Sequence, residues 1–365
     1  MRALLLVALL LVVTSAGVLA ESDQSTPAPA GIAVDSDGAV YVSDYAMDRV
    51  LKFGPDGTLL LQWGASGSGL GQFSAPFGLA VDDHTVYVVD QLNGRVQKFA
   101  SDGTSLGAWG STGAGSDQLR TPFGVAVFGG RVYVADFGND RVQIFSTDGM
   151  GMGEVGAHGT ADGQFQRPAG VAVDRDGNLY VTDHFNDRIQ RFGVEGRFQG
   201  ALGSVVGALA SGTAVTSGTP GSLSGPSAVS TPLPTLTNSS TPAAVPESVL
   251  RRPEGIALDR DGNVWVADYG RDRVVKLSPE GHVLLALGSR GSGASEFVGP
   301  KGIAVDPASG RVYVADTGNG RVQRLAPDGT LEASWPLPSP AASAPSPTAT
   351  VSATPQSTPP PQTAQ

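Results

Sequence analysis

Six copies of one short pattern, Pro-x-Gly leading into an apolar run, recur along the 365 residues and leave very few folds open. They start at Pro29, Pro76, Pro122, Pro168, Pro253 and Pro300, at spacings of 47, 46, 46, 85 and 47 residues. The runs read Gly31-Ile-Ala-Val-Asp35, Gly78-Leu-Ala-Val-Asp82, Gly124-Val-Ala-Val-Phe128, Gly170-Val-Ala-Val-Asp174, Gly255-Ile-Ala-Leu-Asp259 and Gly302-Ile-Ala-Val-Asp306. A second run follows, such as Val40-Tyr-Val-Ser-Asp44 or Val312-Tyr-Val-Ala-Asp316. Five residues after its final Asp stands an Arg in every copy. The pairs are Asp44 and Arg49, Asp90 and Arg95, Asp136 and Arg141, Asp183 and Arg188, Asp268 and Arg273, and Asp316 and Arg321.

Third and fourth runs complete each copy, for example Arg95-Val-Gln-Lys-Phe99 and Thr58-Leu-Leu-Leu-Gln-Trp63. Four short runs rich in Val, Ile, Tyr and Phe, punctuated by Gly, Asp and Pro, spell a four-stranded antiparallel meander. The first run is apolar almost throughout, which predicts a strand buried on both faces. Six such sheets stacked around an axis make an all-β, six-bladed β-propeller. No helical periodicity competes with this reading.

The repeats resemble NHL repeats, the blades of six-bladed propellers. The resemblance rests on Pro-x-Gly-Ile/Val-Ala-Val-Asp, on the Tyr-Val-Ala-Asp segment, and on Asn-x-Arg-Val-Gln around Asn93, Asn139, Asn186 and Asn319. The linkers Gly71-Gln72-Phe73 and Gly163-Gln164-Phe165 belong to it as well. It extends over essentially all of the chain read as structured and implies a secreted, bacterial-type propeller. It implies no single activity, because such propellers serve as adaptors, sensors, lyases and lactone hydrolases.

Outside the propeller, expected over 21–337, lie three further segments. Met1-Arg2, the apolar run Ala3–Val13 and the small-residue site Val18-Leu19-Ala20 form a secretory signal over 1–20, cleaved after Ala20. An uncleaved anchor is the alternative, since Ala3–Ala20 approaches the length of a span. The long spacing between the fourth and fifth copies holds a low-complexity insert over 204–249. A degenerate seventh blade is rejected there, because no aromatic residue lies between Phe198 and Trp265 and no Asp between Asp187 and Asp259. A tail over 338–365, rich in Pro, Ser, Thr and Ala, ends the chain, and both segments are read as disordered.

Composition removes several classes of function. The absence of Cys excludes disulfides, thiolate catalysis and Cys-bound zinc. A net charge of −10 argues against nucleic acid or an anionic membrane surface as the partner. The secretory signal over 1–20 places the protein in the secreted or extracytoplasmic space of the cell envelope, touching a membrane only if that leader stays attached. No cofactor is expected, and no nucleophile-elbow, zinc-protease or phosphate-loop motif occurs.

In a meander the turns alternate between the two ends of the blade. Tight Asp-Gly and Glu-Gly turns share one face, while the second-to-third loops and the inter-blade linkers share the other, where a site has room. The six Asp and Arg pairs recur too regularly to make a site and are read as structural. Asymmetry appears one residue after each of those Asp: Tyr45, Gln91, Phe137, His184, Tyr269 and Thr317. These are expected to ring the channel mouth, where aromatics suit stacking on a ligand. Arg271, standing where other copies carry Asn, is a candidate carboxylate anchor. His158 and His184 could begin a zinc site if Asp162 or Asp183 joined them. The leading expectation is a non-enzymatic module that binds a protein, peptide or glycan through this open face, with no catalytic residue assigned. The alternative is a metal-assisted lyase or hydrolase near His158 and His184.

Overall fold

A computed structural model of the chain describes residues 26–203 and 248–339. The leader over 1–20, the tail from 340 onward and residues 204–247 of the insert lie outside the described residues.

The repeat folds as the spacing predicts, into six sheets of four consecutive antiparallel strands. The first blade shows the pattern, with strands at Pro29–Val34, Val40–Asp44, Arg49–Phe53 and Leu59–Trp63. The other blades start at Pro76–Asp82, Val125–Phe128, Pro168–Val173, Pro253–Leu258 and Ile303–Val305. Second strands are the most protected, and Val40–Asp44, Leu179–Asp183, Val264–Asp268 and Val312–Asp316 are buried from end to end. Fourth strands lie at the rim and alternate, so that Leu331–Pro336 keeps every second residue half-buried. Helix is confined, among the described residues, to single 3-10 turns such as Phe137–Asn139 and Tyr269–Arg271.

Six apolar clusters fill the six spaces between neighbouring blades. Tyr41, Val50 and Trp63 of blade 1 pack against Val86 and Phe99 of blade 2, and the series continues around the ring. Closure follows the same rule, since Val40, Val42 and Leu51 of blade 1 meet Tyr313 and Val322 of blade 6 with no strand exchanged. One linker side chain plugs each space: Phe73, Leu119, Phe165, Leu250 and Phe297 are fully buried, and Leu337 takes that place at the closing junction.

The Gly of Pro-x-Gly explains how six strands converge on one axis. A Cβ on Gly31, Gly78, Gly124, Gly170, Gly255 or Gly302 would lie 2.1 to 2.6 Å from a backbone carbonyl oxygen of the next blade. Without side chains the strands approach closely enough to bond directly. The amides of Gly78, Gly124 and Gly255 donate to the carbonyls of Phe123, Ala169 and Lys301 at 2.8 to 2.9 Å. At Gly31 and Gly170 the hydroxyls of Ser43 and Thr182 relay the bond instead.

Ser248 and Val249, which the sequence reading gave to the insert, form part of a packed linker. Ser248 Oγ donates to the Gly203 carbonyl at 2.8 Å, so the chain leaves and rejoins the propeller at one point. That geometry explains why a long insertion is compatible with the ring: it adds nothing to the distance the linker must span.

Candidate functional site

The six Asp and Arg pairs close within their own blades, at 2.7 to 3.0 Å. Each carboxylate also accepts from a linker amide, as Asp136 does from Arg120 at 2.7 Å. Each guanidinium reaches linker carbonyls; Arg95, for example, donates to Gly69 and Gln72. Burial pushes the carboxyls of Asp44, Asp136, Asp183 and Asp268 above their ordinary range despite these bonds. The arrangement ties every linker to its blade and spends its polar groups internally.

At the hub, the first strands line a channel of ≈ 60 Å³, three residues from each blade. The mouth on the open face is wider in chemistry. Phe123 and Phe137 stack with ring centroids 4.0 Å apart and planes at 10°. Phe77 lies 4.4 Å from Phe123 on one side, with Tyr45 a further 6.4 Å along. On the other side His184 is 6.0 Å from Phe137 and 6.2 Å from Tyr269. An arc of rings thus runs over blades 1 to 5.

Blades 5 and 6 close the arc with charge. Lys301 Nζ stands 3.3 Å from both carboxylate oxygens of Glu254. It also lies over the rings of Tyr269, at 4.8 Å, and Phe77, at 5.4 Å. Its reach from blade 6 to blade 2 passes the intervening small Ala30. Glu254 is 5 % exposed, and burial pushes its carboxyl up while Lys301 opposes the shift. Cations cap other rings too: Arg167 over Phe137 at 5.3 Å and Arg252 over Phe185 at 5.7 Å.

His184 is 7 % exposed, and its Nδ1 lies 3.3 Å from the Pro253 carbonyl oxygen. A carbonyl only accepts, so Nδ1 carries the proton and Nε2 the lone pair. Burial is the main cause that brings its pKa down to about 4, and the nearby Arg252 and Lys301 add to it.

Of the residues singled out from sequence, Tyr45, Phe137, His184 and Tyr269 come together in this arc. Gln91 occupies the corresponding loop position, where its amide donates to the Ala75 carbonyl at 3.4 Å. Thr317 is buried and donates to the Pro29 carbonyl at 2.7 Å, which makes it a joint between blades 6 and 1. Arg271 turns away from the mouth: it donates to the Ser248 and Val249 carbonyls, because the 3-10 turn Tyr269–Arg271 aims it at the linker. His158 and His184 are not gathered into one centre. His158 is 74 % exposed and held by Asp140 at 2.8 Å, whereas His184 is enclosed by Phe137, Phe185 and Tyr269. Asp162 instead lies beside Arg188, at 3.8 Å, and Asp183 is committed to Arg188 and Asn186. Among the described residues no group of three or more His, Asp and Glu is placed to hold a metal.

Phe77, Phe123, Glu254 and Lys301 were missed. All four occupy the middle position of Pro-x-Gly, which reads Ala30, Phe77, Phe123, Ala169, Glu254 and Lys301 around the ring. That variation was the available signal.

The NHL repeat model matches residues 27–53, 119–145, 165–192, 250–277 and 297–325, five of the six blades. A stretch of 62 residues, 15 % of the chain, is 45 % identical to peptidyl-glycine alpha-amidating monooxygenase of Mus musculus; it spans only 6 % of that protein. Among solved structures, a streptogramin B lyase superimposes with a TM-score of 0.53 at 15 % identity, over 86 % of this chain and 85 % of that one. Kuenenia stuttgartiensis hydrazine synthase does so at 0.52 and 14 % identity, over 85 % and 98 %. Identity this low carries the fold alone. Five matched repeats and six four-stranded blades together identify the chain as an NHL-repeat protein folded as a six-bladed β-propeller.

Proposed function

We propose that the protein is a binding module of the extracytoplasmic space whose ligand is seated at the channel mouth on the open face. The observation that carries this reading is the arc of Tyr45, Phe77, Phe123, Phe137 and Tyr269 closed by the Glu254–Lys301 pair. Six near-identical blades give a surface with little to distinguish one sector from another. Here the distinguishing residues gather at one end of the axis, where aromatic faces and a few polar groups converge. A side chain of a protein or peptide, or a sugar ring, fits such a platform. The fold itself does not choose among activities, since the same architecture occurs in a lyase and in a hydrazine synthase.

Neutral aromatic probes test the location without presuming the natural ligand. Benzyl alcohol and indole, followed by ligand-observed NMR, are expected to bind the intact chain at millimolar concentration. In the variant Phe123→Ala with Phe137→Ala the signal should fall at least ten-fold. Equal binding to a variant that retains the β-sheet circular dichroism would reject the mouth as the site.

A further inference from the structure

Charge at the mouth runs against the charge of the molecule. The chain carries a net −10. Yet the side chains lying over the mouth's rings are cations: Lys301 over Phe77 and Tyr269, Arg167 over Phe137, and Arg252 over Phe185, next to His184. Glu254 is the one carboxylate facing them inside the channel among the described residues. Asp140 and Asp187 lie nearby and keep their negative charge, each accepting a backbone amide at 2.7 Å, of Arg167 and of Arg252, with Asp140 also held by His158.

Lys301 is only partly satisfied by its partner. Both of its contacts to Glu254 are 3.3 Å, longer than the ~2.7–2.9 Å of a strong charge-assisted bond, and an ammonium has three donors. A groove lined by Arg251, Arg252, Arg290 and Tyr269 continues outward from the same sector. Arg290 there is answered by Asp272 at 3.2 Å, while no ion pair of Arg251 or Arg252 is found among the described residues. His184 adds no charge above acidic pH; Arg252 and Lys301 both disfavour its protonation, while Asp187 favours it.

We propose that the mouth is selective for a ligand that joins an aromatic ring to a carboxylate, the ring against Phe77, Phe123 and Phe137 and the carboxylate between Lys301 and Arg252. This rests on the mouth being the binding site and adds the class of ligand. The cations stand at the edge of the aromatic arc: Lys301 lies over Phe77, itself 4.4 Å from Phe123, and Arg252 lies over Phe185, 4.9 Å from His184. At Lys301, whose side chain is half-buried, an anion gains more than it would in water, and the exposed Arg252 adds its charge from the rim. A free ammonium would meet them as like charges.

Three probes separate the contributions: N-acetyl-L-phenylalanine, its neutral amide, and N-acetyl-L-alanine, each titrated calorimetrically or by NMR at pH 7.5 and low salt. The acid is expected to bind at least ten-fold more tightly than the amide and than the alanine derivative. Arg252→Gln should bring the acid-to-amide ratio down several-fold. So should the double variant Lys301→Met with Glu254→Gln, which leaves no buried carboxylate alone. An acid-to-amide ratio near one in the intact protein, with both probes lost in Phe123→Ala, overturns the carboxylate preference and leaves the mouth as the site. The same ratio persisting in both charge variants also overturns the preference. Binding unaffected by Phe123→Ala, or no binding of any probe at 20 mM, overturns both.

Discussion

At the scale of the residue, His184 stands where the other copies carry Tyr, Gln, Phe or Thr, and burial holds its imidazole neutral. Its folded pKa of about 4 lies below the ordinary 6.5, so the folded chain binds fewer protons than the unfolded one between those values. Stability from this group is complete above pH 6.5 and is lost as pH falls through 4. At about 1.4 kcal/mol per pH unit, the loss amounts to about 3 kcal/mol. His184→Thr supplies the reference, because Thr317 already makes the equivalent bond to a proline carbonyl. Urea unfolding of both chains from pH 7.5 to 4 should show the wild type losing about 3 kcal/mol more than the variant; a pH-independent difference would contradict the assignment. Tyr45, Phe137, His184 and Tyr269 were legible because a fixed offset from a repeated Asp marks a fixed place in the blade. Phe77, Phe123, Glu254 and Lys301 escaped because Pro and Gly on either side served as the landmarks, and the residue between them was passed over. Arg271 misled for a different reason: the Asn at its place in other copies points to the linker, as Asn139 does to the Gly113 carbonyl, and Arg271 takes the same direction.

At the scale of the element, strand identity and order followed from four short runs rich in Val, Ile, Tyr and Phe and from the turn residues between them. What the runs do not contain is the distance between blades. The Gly of each Pro-x-Gly, in or just before the first strand, sets that distance by allowing backbone to touch backbone across the hub. A methyl on Gly124 would sit 2.6 Å from the Ala169 carbonyl oxygen and 3.0 Å from Gly170 Cα, neither of which can move without spreading the ring. Gly124→Ala is therefore expected to cost about 2–3 kcal/mol. Gly200→Ala on the outer strand Phe198–Leu202, with nothing within 4 Å of its added carbon, should stay within about 0.5 kcal/mol of the wild type. Thermal unfolding of the two variants makes the comparison, and equal midpoints would show that the hub tolerates an extra atom. The Asp and Arg pairs work at this scale too. They recur because every linker needs the same anchor, which is why their regularity pointed to structure.

Across the whole molecule, closure needs no strand shared between the first and last blades. The junction is filled as the other five are, by facing strands and a buried plug, here Leu337, with a polar joint at Thr317. The ring was legible from the count of copies, and the insert from its want of aromatic residues. The point at which the chain rejoins the ring was not, because Ser248, Val249 and Leu250 resemble the neighbouring sequence and are told apart only by their contacts. A regular frame confines individuality to the positions facing the axis, and the two ends of that axis differ. Tight turns border one, while the aromatic arc and Lys301 border the other. Crystals of the intact chain soaked in benzyl alcohol and indole test this assignment most directly. The expected result is that both probes occupy the mouth against Phe123, Phe137 and Tyr269 ahead of any other position. Probes that instead settle along the exposed Leu106, Met150 and Met152 of the outer strands, leaving the mouth to solvent, would contradict it.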